Sequence, residues 1–229
     1  MKTEERHGPT RSVVMFGIGN MSEMLTTYLE KFSDMTVVAY TVDKSFLTVP
    51  EFCDRPVVAW EDLEQQYPSD EVELIGPFGF QNVNRFRQDR YLDGKRRGYR
   101  YASFIHPHSM VYTEDMGEHV VILENTVVQP HAKIGNNVMI LSCSYVAHHV
   151  QLKDHCFISS MVGVAGGTII GEAAHLAGGG GIGHNLTIGA RSVVLNNAFI
   201  STDLDEESVV VGPRPDLKPY KSSRVAKKL

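Results

Sequence analysis

Aliphatic residues recur with an unusual period in the second half of the chain. From Met116 to Ile200, every sixth residue is aliphatic or methionine, and a second series of mostly small or β-branched residues follows four places later, from Val120 to Leu204. An α-helix repeats every 3.6 residues and a flat strand every two, so neither fits this period. The pattern predicts a parallel β-helix, in which three short strands form each triangular coil and the aliphatic side chains point inward.

The period also fixes which residues stack on one another. Three hexads make one coil, so each residue is expected to lie under the residue 18 places later, about 4.8 Å away. The corners between strands need tight turns, and glycine supplies a positive φ there at little cost. The glycines expected at the corners are Gly117, Gly135, Gly171, Gly183 and Gly189.

The N-terminal part of the chain has the pattern of an α/β domain. Residues 12–16 and 36–42 are predicted as buried strands with a helix over residues 22–32 between them, which makes a βαβ unit with a right-handed crossover. The further predicted elements are strands over residues 56–60, 72–76 and 102–105 and helices over residues 61–67 and 81–97. The charges of the last helix are expected to form a solvated face, with phosphate binding as the alternative.

Together these patterns predict a small Rossmann-like βαβ domain followed by a left-handed parallel β-helix. The expected segments are a flexible N-terminus over residues 1–10, the α/β domain over residues 11–103, the β-helix over residues 104–204 and a C-terminal tail over residues 205–229. The tail is basic, and its cationic residues include Lys218, Lys221, Arg224, Lys227 and Lys228.

Composition narrows the classes of function. The 229-residue chain has a formal net charge of −5, whereas a nucleic-acid-binding protein usually presents a basic face. No apolar stretch is long enough to span a bilayer, and the first residues do not form a signal peptide. The three cysteines, Cys53, Cys143 and Cys156, lack the spacing of a metal or redox motif, which favours a reducing cytoplasmic location.

A glycine-containing turn follows the first predicted strand and precedes a helix. Gly17 and Gly19 leave backbone amides open to a phosphate, Asn20 follows them, and Asp43 ends the second strand, where it can accept hydrogen bonds from a ribose. Ser22 replaces the third glycine of a dinucleotide fingerprint, and the domain is too short for a nicotinamide-binding half. The expected ligand is therefore a nucleotide diphosphate, and a turn needed only for packing is the alternative.

One histidine of the repeat is a candidate general base. His148 lies outside the aliphatic series, and adding 18 leads to Gly166 and then to His184. Acyl transfer needs an imidazole that takes a proton from the attacking group and an uncovered amide that stabilises the oxyanion. A polar surface histidine without a function is the alternative. Metal binding is not expected, because no two histidines are five residues apart, as in β-helix carbonic anhydrases.

The order of these parts resembles a known family. The chain has Phe-Gly-Ile-Gly-Asn at residues 16–20, Ser-Phe-Ile-His-Pro at 103–107, uninterrupted hexads, and Val-Gly-Pro-Arg-Pro at 211–215. In this order it is similar, over nearly its whole length, to the hexapeptide acyltransferases of the sialic acid O-acetyltransferase and bacillosamine N-acetyltransferase (NeuD/PglD) type.

The resemblance implies roles for individual residues. Ser-Tyr-Val-Ala-His-His at residues 144–149 matches the segment with the family's general base, which makes His148 the base and Gly166 the backbone group that binds the thioester. His149 stands where the family has an acid, so either a carboxylate from elsewhere orients the base or the base works without one.

The resemblance also implies acetyl-CoA as the co-substrate. The glycine run at residues 178–183 is expected to form an open groove wall for the pantetheine arm, and a run of tight corners is the alternative. Phe157 stands where the family has a second histidine, and His155 is a candidate to replace that contact. The residues expected to bind acetyl-CoA are Gly166, Gly178, Gly179 and Asn196.

The expected protein is a homotrimeric N-acetyltransferase that acts on a nucleotide-linked amino sugar in lipopolysaccharide or capsule biosynthesis. The expected catalytic residues are His148, Gly166 and His149, and those expected to bind the nucleotide sugar are Gly17, Gly19, Asn20 and Asp43. The basic tail is expected to meet the phosphates of acetyl-CoA. The alternatives are a sugar O-acetyltransferase of the sialic acid type and a non-catalytic trimeric scaffold with a vestigial nucleotide domain.

Overall fold

The computed structural model describes residues 10–214, in which an α/β domain precedes a left-handed parallel β-helix. The predicted fold class is therefore confirmed. Two expectations lie outside the described residues, namely the flexible N-terminus, except for its last residue, and the basic cluster of the tail from Lys218 to Lys228.

The α/β domain contains one six-stranded sheet in the order β3-β4-β2-β1-β5-β6. Its strands are β1 (Arg11–Phe16), β2 (Met35–Val42), β3 (Glu51–Phe52), β4 (Arg55–Ala59), β5 (Glu73–Ile75) and β6 (Arg100–Tyr101). Its helices are α1 (Asn20–Phe32), α2 (Leu63–Gln66) and α3 (Arg85–Arg96), with 3₁₀ turns at Lys44–Phe46 and Trp60–Asp62. All neighbouring strands are parallel except β3 and β4. The central strands are buried on both faces, as expected for a parallel sheet with covered faces.

The predicted strand over residues 102–105 falls at the junction of the two domains, and only its second half is a strand. Strand β6 ends at Tyr101 and completes the first sheet, whereas Phe104–Ile105 pairs with Val121–Ile122 in the β-helix. Ala102 and Phe104 are both buried in a cluster to which the two domains contribute. Because Ser103 is the only polar residue in this short stretch, the sequence pattern did not reveal the change of sheet.

The β-helix has three flat faces made of two-residue strands. Face 1 consists of Phe104–Ile105, Val121–Ile122, Met139–Ile140, Phe157–Ile158, His175–Leu176, Val193–Val194 and Val209–Val210. Face 2 consists of Met110–Val111, Val127–Val128, Tyr145–Val146, Gly163–Val164, Gly181–Ile182 and Phe199–Ile200. Face 3 consists of Lys133–Ile134, Gln151–Leu152, Ile169–Ile170 and Thr187–Ile188. The chain turns at corner 1–2, corner 2–3 and corner 3–1, each named after the faces that it joins.

Strand pairing confirms the predicted stacking of residues 18 places apart. On face 2, for example, Val128, Val146 and Val164 follow one another in register, and all three are fully buried. The second series is also internal, from Val120 at one end to Ala198 near the other. Pairing continues past the expected break after residue 204, because Val209–Val210 adds a further strand to face 1.

The predicted role of the corner glycines is wrong. None of Gly117, Gly135, Gly171, Gly183 and Gly189 has a positive φ. Their role is to allow close packing, because a Cβ on Gly171, for example, would lie 2.5 Å from the backbone nitrogen of Ala190 in the next coil. The left-handed positions fall two residues later and carry mostly other residues, which include Asn125, His131, Asn137, His149, His155, Asn185 and Asn197. Asparagine and histidine are among the residues that tolerate this conformation best.

The α/β domain packs on face 1 and on corner 3–1. Val121, Met139 and Phe157 of face 1 belong to the same buried cluster as Leu25 and Leu29 of α1. Burial of these apolar side chains, at roughly 25 cal/mol per Å² of apolar surface, favours a fixed arrangement of the two domains.

The charges of α3 form the predicted solvated face only in part, because Arg85, Asp89, Lys95 and Arg96 are exposed whereas Arg87 is buried. Arg87 is 1% exposed, and it donates hydrogen bonds to the carbonyl oxygens of Phe78 at 3.2 Å and Asn137 at 2.7 Å. Burial lowers the pKa of its guanidinium to about 10. The other ion pairs of this region include Arg85–Glu207, Arg90–Asp43, Lys95–Glu118 and Arg97–Glu64. The helix lies between the sheet and the β-helix, so its charges pair with groups on both sides.

A chain of buried polar groups joins the domains at corner 3–1. The Gly76 N–H donates to His119 Nε2 at 3.2 Å, so the proton of this ring lies on Nδ1, which is 3.0 Å from Asn137 Oδ1. The Asn137 amide nitrogen then lies 2.9 Å from His155 Nδ1. Burial, with the nearby Arg87 charge, lowers the pKa of His119 to about 3, and burial also lowers the pKa of His155. Both histidines are therefore neutral structural residues.

Candidate functional site

His148 lies at corner 2–3, on the edge of the β-helix that does not border face 1. Its backbone N–H donates to Gln129 Oε1 at 3.0 Å, which ties the corner to the coil below. Its imidazole lies across Gly166 of the next coil, as the stacking predicted. A Cβ on Gly166 would be 2.6 Å from His148 Cε1 and 2.9 Å from Nε2. The glycine therefore provides the space that the ring occupies.

The backbone amide of Gly166 differs from its neighbours along the corner. The N–H groups of Ala165 and Gly167 donate to Ile182 and His148 carbonyl oxygens at 3.0 and 3.1 Å. Among residues 10–214, we find no acceptor for the N–H of Gly166. Gly166 is buried, because the His148 ring covers it, so the uncovered amide that the sequence predicted is screened by the imidazole itself. A ligand that reaches this amide must lie against the ring.

A surface cavity of ≈ 390 Å³ opens beside this pair on face 2. Its walls include His148, His184, Gln129, Tyr145 and Gly163. His184 was found by adding 18 twice, whereas Gln129, Tyr145 and Gly163 were not singled out from the sequence. The 18-residue repeat does place them near His148, since each lies within a few residues of position 148 or of a position one coil away. Their residue types, however, did not indicate a function.

His149 contacts the candidate base directly. Its Nδ1 lies 3.1 Å from Nδ1 of His148. Its own ring packs on that of His131, one coil below, with 4.9 Å between the ring centroids. A φ of +60° directs the side chain along the corner. Among the described residues, no carboxylate hydrogen-bonds to the His148 ring, so the partner of the base within one chain is an imidazole rather than an acid.

The expectation that His155 replaces the family's second histidine is wrong. His155 lies at corner 3–1, where it hydrogen-bonds to Asn137 and packs edge-on against Tyr91 at 5.4 Å. Seven residues separate it from His148, and this interval carries the chain across the whole of face 3. Phe157 stacks on His175 on face 1, so it too lies away from the candidate base.

The residues expected to bind acetyl-CoA occupy two edges of face 2. Gly166 is at corner 2–3, whereas Gly178, Gly179 and Asn196 are at corner 1–2. Gly179 is in the left-handed conformation with φ +74°. Close packing explains why residue 180 of the same glycine run is a glycine, because a Cβ on Gly180 would lie 2.8 Å from the Ala198 carbonyl oxygen.

A strip of glycine backbone lies between these two edges and runs along the axis of the β-helix. Gly163 and Gly181 pair with each other in the middle of face 2. Tyr145 and Phe199 flank them on either side, with 42% and 79% of their surfaces exposed. No atom lies within 4 Å of a Cβ built on Gly163, so this part of the strip is open. The strip is a shallow channel with an aromatic ring at each end.

A second cavity, of ≈ 490 Å³, lies in the α/β domain at the carboxyl ends of β1 and β2. Its lining includes the predicted residues Gly17, Gly19 and Asp43. Gly17 has φ +100°, and a Cβ there would lie 2.9 Å from Ser22 Oγ, so only glycine suits this turn. A Cβ on Gly19 would meet no atom within 4 Å. Asn20 is the first residue of α1, whose N-terminus favours an anion.

The carboxylate of Asp43 is already paired. Arg90 of α3 approaches it through two nitrogens, Nε and Nη2, each 2.9 Å from a carboxylate oxygen. Asp43 nonetheless lines the cavity, so the pair presents both a carboxylate and a guanidinium near a bound ligand. The Arg90 guanidinium also lies 5.4 Å from the centre of the Phe86 ring.

Several residues of this cavity were missed in the sequence. They are Phe46, Pro77, Gln81 and Phe86, with Arg90 behind them. They come from three separate loops or helix ends, and only the folded sheet brings them together. The exposed ring of Phe46, together with Phe86, provides an apolar, aromatic wall suited to a planar base.

Residues 10–214 contain no group of three or more histidine, cysteine, aspartate or glutamate side chains placed to hold a metal ion. The helices in this part of the chain are too short or too polar to cross a bilayer. Cys53, Cys143 and Cys156 are free thiols.

Comparison with known proteins agrees with this architecture. Residues 131–166 match the model of the bacterial transferase hexapeptide family (six repeats). The chain is 37% identical over 57 residues to UDP-3-O-acylglucosamine N-acyltransferase from Caulobacter sp. (strain K31). That match covers 25% of this chain and only 17% of the relative.

Solved structures match over most of the chain. The acetyltransferase domain of PglB from Neisseria gonorrhoeae FA1090, in complex with acetyl coenzyme A, has a TM-score of 0.79 and 20% identity over 89% of this chain and 97% of its own. PerB from Caulobacter crescentus, in complex with CoA and GDP-perosamine, has a TM-score of 0.76 and 25% identity over 86% of this chain and 92% of its own. The chain therefore contains a bacterial transferase hexapeptide repeat over residues 131–166 and has the two-domain fold of these solved structures.

Proposed function

We propose that the protein is an acetyl-CoA-dependent N-acetyltransferase that acts on the amino group of a nucleotide-linked amino sugar. The observation that carries the proposal is the contact between the His148 imidazole and Gly166, whose N–H has no acceptor among the described residues. The similarity to PerB, whose structure contains CoA and GDP-perosamine, supports the same class of substrates. Surface-glycan biosynthesis is the process we propose for it.

The chemistry follows from the state of the imidazole. Neutral His148 takes a proton at Nε2 from the amino group as the nitrogen attacks the thioester carbonyl carbon. The C–N bond forms, the carbonyl becomes a tetrahedral oxyanion, and the C–S bond then breaks. The proton held by His148 passes to the departing thiolate, so the products are an acetamido sugar and CoA, and the base returns to its neutral form.

The Gly166 N–H is the group we assign to the oxyanion. An amide that already lies at the site needs no reorganisation as negative charge develops on the carbonyl oxygen. The His148 ring screens this amide from bulk water, which strengthens the hydrogen bond that the oxyanion accepts.

We propose that acetyl-CoA lies along the strip of glycine backbone on face 2. The strip begins at Gly163 in the His148 cavity and continues to Gly181 of the next coil, and Gly178, Gly179 and Asn196 lie beside it at corner 1–2. Open backbone at Gly163 suits an extended pantetheine arm, since its amides can approach the strand closely, whereas the Phe199 ring covers Gly181.

The cavity of the α/β domain is the site that we propose for the nucleotide. The open N-terminus of α1 at Gly19 and Asn20 suits a diphosphate, and the wall of Phe46 and Phe86 suits the base. Because Arg90 already neutralises Asp43, a ribose hydroxyl would meet a carboxylate held in a fixed orientation.

The two cavities lie on different sides of one chain. The α/β domain covers face 1 and corner 3–1, whereas His148 lies at corner 2–3, between the other two faces. No residue is shared between the linings of the two cavities. We therefore propose that the nucleotide cavity of one subunit serves His148 of another, in a homotrimer. Free thiols and the use of acetyl-CoA suit a cytoplasmic location.

The experiment is a screen of acetyl-CoA against UDP-, dTDP- and GDP-linked amino sugars, with mass spectrometry of the products. We expect a gain of one acetyl group on one class of sugar nucleotide. Resistance of the product to mild alkali identifies an amide, whereas its cleavage identifies O-acetylation. A scaffold would release no CoA with any sugar.

The variant His148→Ala tests the assignment of the base. We expect kcat to fall at least about 100-fold, with the KM for acetyl-CoA within about threefold of the wild-type value, because the base acts in the chemical step. The control Lys153→Ala changes an exposed residue of face 3 whose side chain donates a hydrogen bond to Gln151. Near wild-type turnover by His148→Ala would refute the role of this histidine.

A further inference from the structure

We infer that His149 is a positioning residue that holds His148 in its basic tautomer by accepting a hydrogen bond as a neutral imidazole. The inference rests on the proposed function, since it concerns the base of that reaction. Only 3.1 Å separates the two Nδ1 atoms, so one of them carries the proton between the rings. If His148 donates, its Nε2 is unprotonated and can act as a base. If His149 donates, His148 carries its proton on Nε2 and cannot.

The surroundings of His149 favour the first arrangement. A third cavity, of ≈ 460 Å³, lies at the same corner on the side of His149, and His149, His131, Glu114, Asp115 and Lys133 are among its lining residues. The Lys133 ammonium is 3.5 Å from Asp115, so this cation is paired. Glu114 adds a further carboxylate. An acidic cavity favours a proton on the His149 nitrogen that faces it, Nε2, and this leaves Nδ1 as the acceptor towards His148.

Two features orient the exposed ring of His149. Its backbone is in the left-handed conformation that recurs along the corners, and its ring packs on His131 of the coil below. A side chain that is already oriented by these contacts loses little conformational entropy when it accepts a hydrogen bond. An imidazole thus takes the orienting part of the role of an acid, without its negative charge.

The absence of a negative charge has a consequence for the pH dependence. A carboxylate beside His148 would stabilise the imidazolium and raise the pKa of the base, whereas a neutral imidazole does not. Two sets of charged and titratable groups face the pair. Those on the His149 side are Tyr112, Glu114, Asp115, His131 and Lys133, and those on the His148 side are Tyr145 and His184.

Three variants at position 149 separate the contributions. His149→Asn retains an acceptor oxygen at about the position of Nδ1, and asparagine occupies the same left-handed conformation at Asn185. His149→Asp provides the same geometry with a negative charge. His149→Ala removes the acceptor, and Ala173 shows that alanine is accommodated at such a corner position. All three are therefore compatible with the backbone.

We expect His149→Asn to keep kcat within about threefold of the wild type and His149→Ala to lower it at least about tenfold, with the KM for acetyl-CoA unchanged. We expect the acidic limb of kcat/KM for His149→Asp to lie about one pH unit above that of His149→Asn. Equal rates for the alanine and asparagine variants, or coincident acidic limbs for the aspartate and asparagine variants, would overturn the inference.

A spectroscopic measurement on the same proteins does not depend on turnover. Long-range ¹H–¹⁵N spectra of the ¹⁵N-histidine-labelled protein at pH 8 report which ring nitrogen carries the proton, with His148→Gln used to assign the signals. We expect His148 to be protonated on Nδ1 in the wild type and in His149→Asn, and to show a mixture in His149→Ala. Protonation of His148 on Nε2 in the wild type would overturn the inference. If His148 has the expected tautomer but the protein transfers no acetyl group, the proposed function is refuted and the inference about His149 is not.

Discussion

At the scale of single residues, Gly166 shows how much depends on one missing Cβ. The absence of a side chain on Gly166 leaves room for the His148 ring. The N–H of Gly166 also has no hydrogen-bond acceptor among the described residues. Its φ is not in the left-handed region, so alanine would fit its backbone conformation. The selection for glycine here therefore comes from the contact with the imidazole.

The variant Gly166→Ala tests this contact. The new Cβ would lie 2.6 Å from His148 Cε1, which is closer than real contacts allow, so the ring must move away from the amide. We expect kcat to fall about 100-fold with little change in thermal stability, because the displaced ring is at the surface. In the contrasting variant Gly163→Ala, the methyl group enters open space on the strip, so we expect a higher KM for acetyl-CoA at unchanged kcat. A drop in kcat for both variants would contradict the separate roles.

The sequence predicted the residues of one site and only part of the other, for a physical reason. His148, Gly166 and His184 were found by addition, because a coil of fixed length repeats their surroundings without change. Phe46, Gln81 and Phe86 were not found, because their convergence depends on how loops and a helix end pack around the sheet. The tautomer-setting contact of His149 also needs side-chain torsions, which periodicity does not contain.

At the scale of elements, each corner of the β-helix needs a left-handed backbone conformation and a close approach to the next coil, and these two requirements fall on different residues. The left-handed conformation occurs at the second corner residue, which is often asparagine or histidine. Close approach to the next coil occurs at another position, where glycine is needed. The sequence predicted a positive φ for the corner glycines, because the presence of glycine alone does not distinguish strain in φ from a lack of space.

The variant Gly171→Ala is expected to destabilise the β-helix. Its Cβ would lie 2.5 Å from Ala190 N and 2.7 Å from the carbonyl carbon of Gly189, and backbone atoms cannot rotate away. We expect a loss of about 1–3 kcal/mol in the free energy of unfolding, measured by urea denaturation. Gly163→Ala is the matched control, since no atom lies near its Cβ, and we expect it to unfold within about 0.5 kcal/mol of the wild type. Equal losses in both variants would show that the close approach is unimportant.

At the scale of the whole molecule, neutral histidines at the domain interface couple stability to pH. His119 accepts from Gly76 of the sheet and contacts Asn137 of the β-helix, so a proton added to Nε2 would oppose an N–H. Arg87, a nearby cation, further disfavours protonation. The domains are therefore held together best when this histidine is neutral.

The pKa of His119, about 3 in the folded protein and about 6.5 when unfolded, sets the pH range of this effect. Its contribution is complete above pH 6.5 and is lost as the pH falls towards 3, because the unfolded chain then binds the proton more readily. We expect the free energy of unfolding to fall by about 1 kcal/mol per pH unit from this group between pH 6 and 4. The variant His119→Asn should be less stable at pH 7 but show a shallower dependence on pH. An unchanged slope would contradict the assignment.

The proposed homotrimer, in which the cavity of one subunit serves the base of another, predicts complementation between two inactive variants. His148→Ala retains a nucleotide cavity without a base, whereas Gly19→Phe retains the base and fills the cavity, since a side chain at position 19 meets open space. Each variant alone should have about 1% of wild-type activity or less. If the cavity of one subunit serves the base of another, random assortment in co-expressed trimers restores about a quarter of the wild-type activity. If each chain uses its own cavity and base, the mixed trimers stay inactive, and the proposed exchange between subunits is wrong.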